Sequence, residues 1–289
     1  TEMVEAKDSY TVAMIYQDLS QEFNIYFQNV MSTRCAEAGI TLLEFDGRSD
    51  TETQLNQCEN AIASGADALL FIPFDKDGAA PIIDNCNEAG IPVICCNNIT
   101  TNVDQATAYV GANDVEAGIM ETEYIVDLIG GKGNIAVVEG PFGHSAQVAR
   151  QEGLEQVLAG YPDCKIVLDD TANWNRDEAM ELVENWIAGG TQIDAIICHN
   201  DIMAMGALQA CQDAGLEIPI IGIDATYDAL CAVKDGTLAA DVYQDVYGQA
   251  EEAFNVCMRI LNGETFEQTT YVPFKLITKD NVDEYLANF

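Results

Sequence analysis

The sequence predicts an α/β chain built as two lobes, each a parallel sheet covered by helices on both faces. Three observations predict it. Short, solid apolar runs recur along the chain, the mark of strands buried on both sides. Helix-length stretches separate most of them, so strand and helix alternate. The alternation comes in two successive sets of about five strand-helix units, which fits two similar lobes better than one wide sheet.

In the first set, strands are expected at 10–16, 40–45, 66–72, 91–96 and 107–110. The run 10–16 passes from alternating to solidly apolar and gives way to polar Gln17, Asp18, Ser20 and Gln21, before a helical stretch that reaches Ala38. Ser49 and Glu52 have the spacing of a capping box for the next helix. The second set opens on the same cap spacing, Asn113 with Glu116, and places strands at 135–138, 165–168, 193–198, 218–223 and 239–243. A helix over 249–261 and a strand within 271–276 follow and fit either lobe. No Pro/Ser/Gly-rich linker separates the sets, which makes the junction near Ala112 a crossing point. Residues 1–8, polar and acidic, read as a leader stub or tether.

Forty-eight acidic residues against twelve basic ones give a net charge of −36 over 289 residues. Such a field repels nucleic acid and anionic membrane surfaces and favours a neutral or cationic small ligand over an anionic one. No run approaches the roughly 18 apolar residues of a membrane span. The ten cysteines match no zinc spacing. Three of them head one repeated phrase, Cys35-Ala-Glu-Ala-Gly-Ile, Cys86-Asn-Glu-Ala-Gly-Ile and Cys211-Gln-Asp-Ala-Gly-Leu, which reads as helix end, glycine cap and next strand. A Cys at that place is a small buried hydrophobe facing the sheet.

Enzyme signatures fail on inspection. Gly143-His144-Ser145-Ala146-Gln147 lacks the second glycine of a nucleophile elbow, and Gly131-Lys132-Gly133 precedes its strand where a dinucleotide fingerprint follows one. The two histidines end different strands, and no His/Cys/Asp set has metal-ligand spacing, so neither catalysis nor a metal or cofactor is expected. What recurs is a planar hydrogen-bonding residue just past a strand: Gln17, Asn97 and Asn98, Asp114, His144, Asn200, Asp224 and Gln244. Each alone serves as well to cap a helix. Together they mark the carboxyl edges of two sheets, where open α/β folds bind ligands. Arg150 follows His144 by nearly two turns. Phe23 and Trp174 offer flat faces suited to the C–H side of a sugar ring, while amides, carboxylates and Arg150 reach hydroxyls in the ring plane.

At these residues the chain resembles the extracytoplasmic sugar-binding receptors of bacterial ABC importers, in particular the galactose/glucose-binding and ribose-binding ones, from about Tyr10 to beyond Lys279. The resemblance is carried by Gly140-Pro141-Phe142-Gly143-His144 through Arg150, by Asp170-Thr171-Ala172-Asn173-Trp174, by His199-Asn200-Asp201-Ile202-Met203-Ala204-Met205-Gly206-Ala207 and by Gly222-Ile223-Asp224-Ala225. It implies a type I periplasmic binding protein with two Rossmann-like lobes, residues 1–112 with 245–272 and 113–244 with 273–289, joined by a three-stranded hinge near Ala112, Gln244 and Val272. It implies Phe23 and Trp174 as stacking faces, and Arg150 and Asp224 as charged partners that offset each other. Asn97, His144, Asn200 and Gln244 would be neutral partners, with Asp114, Gln17, Gln21 and Asn98 as further candidates.

The departures bear on specificity. Gln21 and Ala146 stand where the galactose/glucose receptor has carboxylates, and Asn98 where the ribose receptor has Arg. The calcium loop is missing, since Ile129-Gly130-Gly131-Lys132-Gly133 offers no alternating acidic ligands. His144 and Trp174 tilt the expectation toward a pyranose such as galactose or glucose, with a pentose, polyol, nucleoside or sugar-derived signal as alternatives. The expected partners are a monosaccharide, the permease of an ABC importer and a chemoreceptor, for a monomer outside the cytoplasm, periplasmic or tethered as a cell-surface lipoprotein. The effector domain of a sugar-responsive repressor shares the architecture but would need basic surface, which a charge of −36 denies it.

Overall fold

In the computed structural model, which describes residues 9–287, the apolar runs become the strands of two six-stranded sheets. The stretch 1–8, read above as a tether, lies outside the described residues. The chain opens with β1 (Thr11–Tyr16), α1 (Glu22–Glu37), β2 (Thr41–Asp46), α2 (Thr51–Ala63), β3 (Ala68–Phe71), α3 (Ala80–Ala89), β4 (Val93–Asn97) and β5 (Ala108–Gly111). It continues with α4 (Asp114–Leu128), β6 (Gly133–Glu139), α5 (Ser145–Leu158), β7 (Cys164–Thr171), α6 (Arg176–Ala188), β8 (Ala195–Cys198), α7 (Asp201–Asp213), β9 (Ile220–Ile223), α8 (Tyr227–Asp235) and β10 (Ala240–Tyr243). It closes with α9 (Val246–Leu261), β11 (Thr269–Tyr271), β12 (Lys275–Ile277) and α10 (Val282–Leu286). Among the described residues two compact units result: unit 1, residues 9–112 and 245–272, and unit 2, residues 113–244 and 273–287.

Unit 1 is a parallel sheet in the order β11-β5-β4-β3-β1-β2. Along β1, Val12, Met14 and Tyr16 enter the core layer shared with α1 and α9, while Ala13 and Ile15 enter the layer shared with α2 and α3. Both faces of the strand are buried, which is why its sequence is apolar without a break from Val12 to Tyr16 and not at every second position. Unit 2 repeats the plan in the order β12-β10-β9-β8-β6-β7, all parallel except β12, which runs antiparallel to β10. In both units the strand order reverses at the first strand, between β1 and β3 and between β6 and β8. In open α/β sheets the carboxyl ends at such a reversal point are where ligands bind.

Two sequence expectations are corrected. The cap of α2 is Asp50, whose Oδ1 accepts the Thr53 N–H at 2.7 Å; Ser49 sits at φ 51°, outside the helix, and its hydroxyl donates to Asp18 Oδ2 at 2.8 Å. The strand expected within 271–276 is two strands in two sheets. Pro273 falls between them and has no N–H to give to either ladder, so β11 ends at Tyr271 beside β5 and β12 starts at Lys275 beside β10. The repeated cysteine phrase behaves as read: Cys35, Cys86 and Cys211 are buried, and each helix is followed by a glycine at φ 69°.

Helices α4 and α5 cross at backbone contact. A Cβ on Gly118 would overlap the Arg150 carbonyl, and one on Gly153 would overlap the Val115 carbonyl. Gly118→Ala should cost about 1–3 kcal/mol by forcing this crossing apart, read as a lower urea midpoint of unfolding.

Candidate functional site

The carboxyl edge of unit 2 is built around one buried arginine. At the reversal point the His199 N–H donates to Val138 O at 3.0 Å and the Gly140 N–H donates to His199 Nδ1 at 3.4 Å, which ties the ends of β6 and β8 together. His144 then caps α5, its Nδ1 accepting the Ala146 N–H at 3.2 Å. Nearly two turns on, Arg150 is 4% exposed. Its Nε and Nη2 lie 2.9 and 2.8 Å from Asp114 Oδ1. Its Nη1 donates to the His199 carbonyl, and Nη2 donates to Gln244 Oε1 at 3.5 Å. Asp114 is the first residue of α4, so the glycine crossing of α4 and α5 is what brings acid and base within reach.

Trp174 supplies the flat face. Asn173 and Trp174 both adopt left-handed backbone, φ 52° and 56°, in the loop after β7. Thr171 braces that turn: its hydroxyl donates to the Gly140 carbonyl at 2.8 Å and accepts the Asn173 N–H at 3.2 Å. The indole lies so close over Gly140 that any side chain there would run into it. His144 meets the indole edge-on, ring centroids 5.2 Å apart at 81°, and the Arg150 guanidinium carbon is 5.8 Å from the indole centroid. Asn200 is the cap of α7, its Oδ1 accepting the Met203 N–H at 3.0 Å. Asp224 is not the cap of the following helix: it sits at φ 128°, the N-cap position of α8 is Thr226, which makes no side-chain cap bond, and the Thr226 N–H goes to Asp201 Oδ2 at 2.7 Å.

Burial opposes the charge on Arg150, but Asp114, then Asp224 and Glu121, outweigh it and raise its pKa. Asp224 acts on Arg150 through space, while Asp114, a lesser candidate in the sequence, makes the direct ion pair. Burial, then Arg150, pushes His144 and His199 down to about 3, so both rings stay neutral across the physiological range. Behind the arginine lie further buried acids. Burial raises Glu121 and Asp201 well above the usual carboxylate range and Asp241 to about 6; at the edge, burial raises Glu139 to about 7, with Gln147 donating to it at 2.5 Å.

Unit 1 presents neutral amides at its own carboxyl edge. Asn98 Nδ2 donates to Gln17 Oε1 at 2.8 Å and to the Pro73 carbonyl at 2.9 Å. Asn97 adopts φ 57°; its Nδ2 donates to Gln249 Oε1 at 3.0 Å and its carbonyl accepts the Tyr109 hydroxyl at 2.6 Å. Gln21 stands at the N-cap position of α1 without a side-chain cap bond. Phe23 is half-buried and packs on the core layer beneath α1 and α9, so part of its ring serves that core. Among the described residues no cluster of His, Cys, Asp or Glu is arranged to hold a metal ion, and no helix is long and apolar enough to cross a membrane.

Unit 2 thus joins Asp114, His144, Arg150, Trp174 and Gln244 in one contact network, and unit 1 joins Gln17 with Asn98. Sequence reading missed His199, which holds Arg150 through its backbone, and Gln249, which holds Asn97. Gln249 had a signal: it interrupts the apolar stripe of α9, Val246, Ala250, Ala253, Phe254 and Cys257.

Comparison with known proteins fits this geometry. A family model described as a periplasmic binding protein domain matches residues 12–265. The chain belongs to the periplasmic binding protein family. It is 38% identical over 255 residues to the xylitol-binding protein of Mycolicibacterium smegmatis, covering 88% of this chain and 73% of that protein. It is 36% identical over 256 residues to a putative rhizopine-binding protein of Rhizobium meliloti, covering 86% and 82%. An ABC transporter solute-binding protein of Bacillus halodurans, solved with bound myo-inositol, superposes with a TM-score of 0.94 at 37% identity, covering 97% of this chain and 98% of that one. The chain is accordingly a solute receptor for a sugar or polyol in an ABC importer, a binding protein and not an enzyme, acting outside the cytoplasm with a membrane permease as partner.

Two outcomes follow for this periplasmic binding protein. Asp114→Asn leaves the Arg150 charge buried against a neutral amide and should cost on the order of 3–5 kcal/mol, visible in urea unfolding. Raised carboxyl pKa values stabilise the fold at low pH and lose that contribution as pH climbs through them. Thermal stability should therefore fall between about pH 4 and pH 7, the window set by Asp241 at about 6 and Glu139 at about 7, and Asp241→Asn should flatten the lower part of that slope.

Proposed function

We propose that this receptor captures an uncharged, six-membered, polyhydroxylated ring, with a cyclitol of the myo-inositol type as first choice and a pyranose as second. The observation that carries the reading is the Trp174 face set beside His144 and the Arg150–Asp114 pair. An indole covers the C–H face of a ring, and the planar groups around it meet equatorial hydroxyls edge-on. Neutral His144 and an arginine already neutralised by carboxylates leave no unmet positive charge for a carboxylate or phosphate ligand. A cyclitol has no ring oxygen and no anomeric centre, so it asks only for hydroxyl partners, which the amides Gln17, Gln21, Asn97 and Asn98 supply in both polarities. The relatives named above bind xylitol, rhizopine and myo-inositol by their descriptions, which supports a polyol over galactose or glucose. So do Gln21 and Ala146, which replace the carboxylates of the galactose/glucose receptor.

In this reading Phe23, Asn200, Asp224 and Gln244 complete the ligand's partners. The three chain crossings near Ala112, Gln244 and Val272 act as the hinge on which ligand shifts an open form to a closed one. The receptor works as a monomer, tethered by a lipid anchor or free in the periplasm, and its closed form is what a permease or chemoreceptor reads. Melting scans with myo-inositol, xylitol, ribose, galactose and glucose test the choice. A ligand at a thousandfold excess over Kd adds about 4 kcal/mol, and myo-inositol should give the largest shift. Trp174→Ala should remove roughly 1–3 kcal/mol of that affinity. No shift with any cyclitol or sugar rejects the reading, and a larger shift with galactose or glucose than with myo-inositol moves it to the pyranose.

A further inference from the structure

Away from the ligand edge, two cysteines of unit 1 meet between α2 and α3. Cys58 and Cys86 are separated by 28 positions in sequence, both fully buried in the same core layer, with sulfurs 3.8 Å apart. Cys58 Sγ also lies 3.9 Å from the Ile82 carbonyl, one helical turn before Cys86, so Cys58 seats on the face of α3 that Ile82 and Cys86 share. A disulfide needs its sulfurs about 2.05 Å apart, so the folded chain has already brought this pair within about 2 Å of bonding. The adjacent cysteines of β4 are placed differently. Cys95 and Cys96 point to opposite faces of the sheet, one into each core layer, where alternation keeps them apart. All ten cysteines are free thiols in this structure.

We propose that Cys58 and Cys86 form a thiol–disulfide exchange site that closes into a cross-link between α2 and α3 when the chain meets a low-molecular-weight disulfide. The step balances without another reagent. Cys58, whose thiol the hydrogen bond from Cys86 pulls below the ordinary cysteine value, attacks one sulfur of the small disulfide as thiolate and releases one small thiol. Cys86 then loses its proton and attacks Cys58 Sγ, releasing the second small thiol. The small disulfide is reduced to two thiols, which carry off both cysteine protons, and the cysteine pair is oxidised by two electrons. Burial of both sulfurs means that exchange waits on local opening between α2 and α3, so the site reacts slowly in the folded chain and readily during folding. Neither cysteine is itself a candidate ligand residue, and the inference stands whatever the ligand proves to be.

Refolding from denaturant in a buffer of oxidised and reduced glutathione, followed by alkylation of free thiols and peptide mapping by mass spectrometry, tests it. The expected product has one disulfide, Cys58–Cys86, with the remaining eight of ten cysteines alkylated. Its melting temperature should lie about 5 °C or more above that of the reduced protein, because closing a loop of this length restricts the unfolded chain. Reduction by dithiothreitol should abolish the difference, and Cys86→Ala, compared with itself under the two conditions, should never show it. Recovery of Cys58 and Cys86 as alkylated thiols from refolded protein, or a disulfide mapped to any other pair, overturns the proposal.

Discussion

A charged guanidinium can be buried only if each of its donors meets an acceptor, and unit 2 is arranged around that requirement. Arg150 spends Nε and Nη2 on Asp114, Nη1 on the His199 carbonyl, and shares Nη2 with Gln244. These partners come from α4, from the turn after β8 and from the end of β10, so one side chain registers three elements against α5. The crossing that allows it has no slack, since Gly118 and Gly153 place the helix backbones against each other. Trp174 and His144 then rest on a platform whose position is already decided.

The two units solve the problem of polar burial differently. Unit 2 keeps its charges and surrounds them with neutral histidines and raised carboxyls, a costly arrangement that tolerates little change. Unit 1 uses amide pairs, Asn98 with Gln17 and Asn97 with Gln249, in which the nitrogen of one amide donates to the oxygen of the other without any ion. An amide can turn its oxygen or its nitrogen outward, so exchanging Asn for Gln at such an edge alters which hydroxyls fit without leaving a charge unmet.

The architecture was legible because strands buried on both faces leave solid apolar runs, and because Gly39, Gly90 and Gly215 end three helices in the same phrase. The planar residues past each strand were legible for the same reason, as interruptions of those runs. Pairings were not. Asp114 and Arg150 are 36 positions apart, and nothing local tells Asp114 from Asp224 as the contact partner; the glycine crossing decides it. Ser49 and Asp50 are equally good caps on paper, and the left-handed turn at Arg48 and Ser49 gives the role to Asp50. His199 showed in the sequence only as a strand-end histidine without metal-ligand spacing, and the group that holds Arg150 is its carbonyl, which no side-chain pattern marks.

The break at Pro273 has a consequence for solubility. β11 lies outermost beside β5 in one sheet, and β12 lies outermost beside β10 in the other, each three residues long. Without them, β5 and β10 would end their sheets with open rows of N–H and C=O groups, the template on which strands of neighbouring molecules add. One short tail thus covers both rows and leaves only stubby rims in their place. A chain cut before Thr269 would lose this cover in both sheets at once and would tend to aggregate.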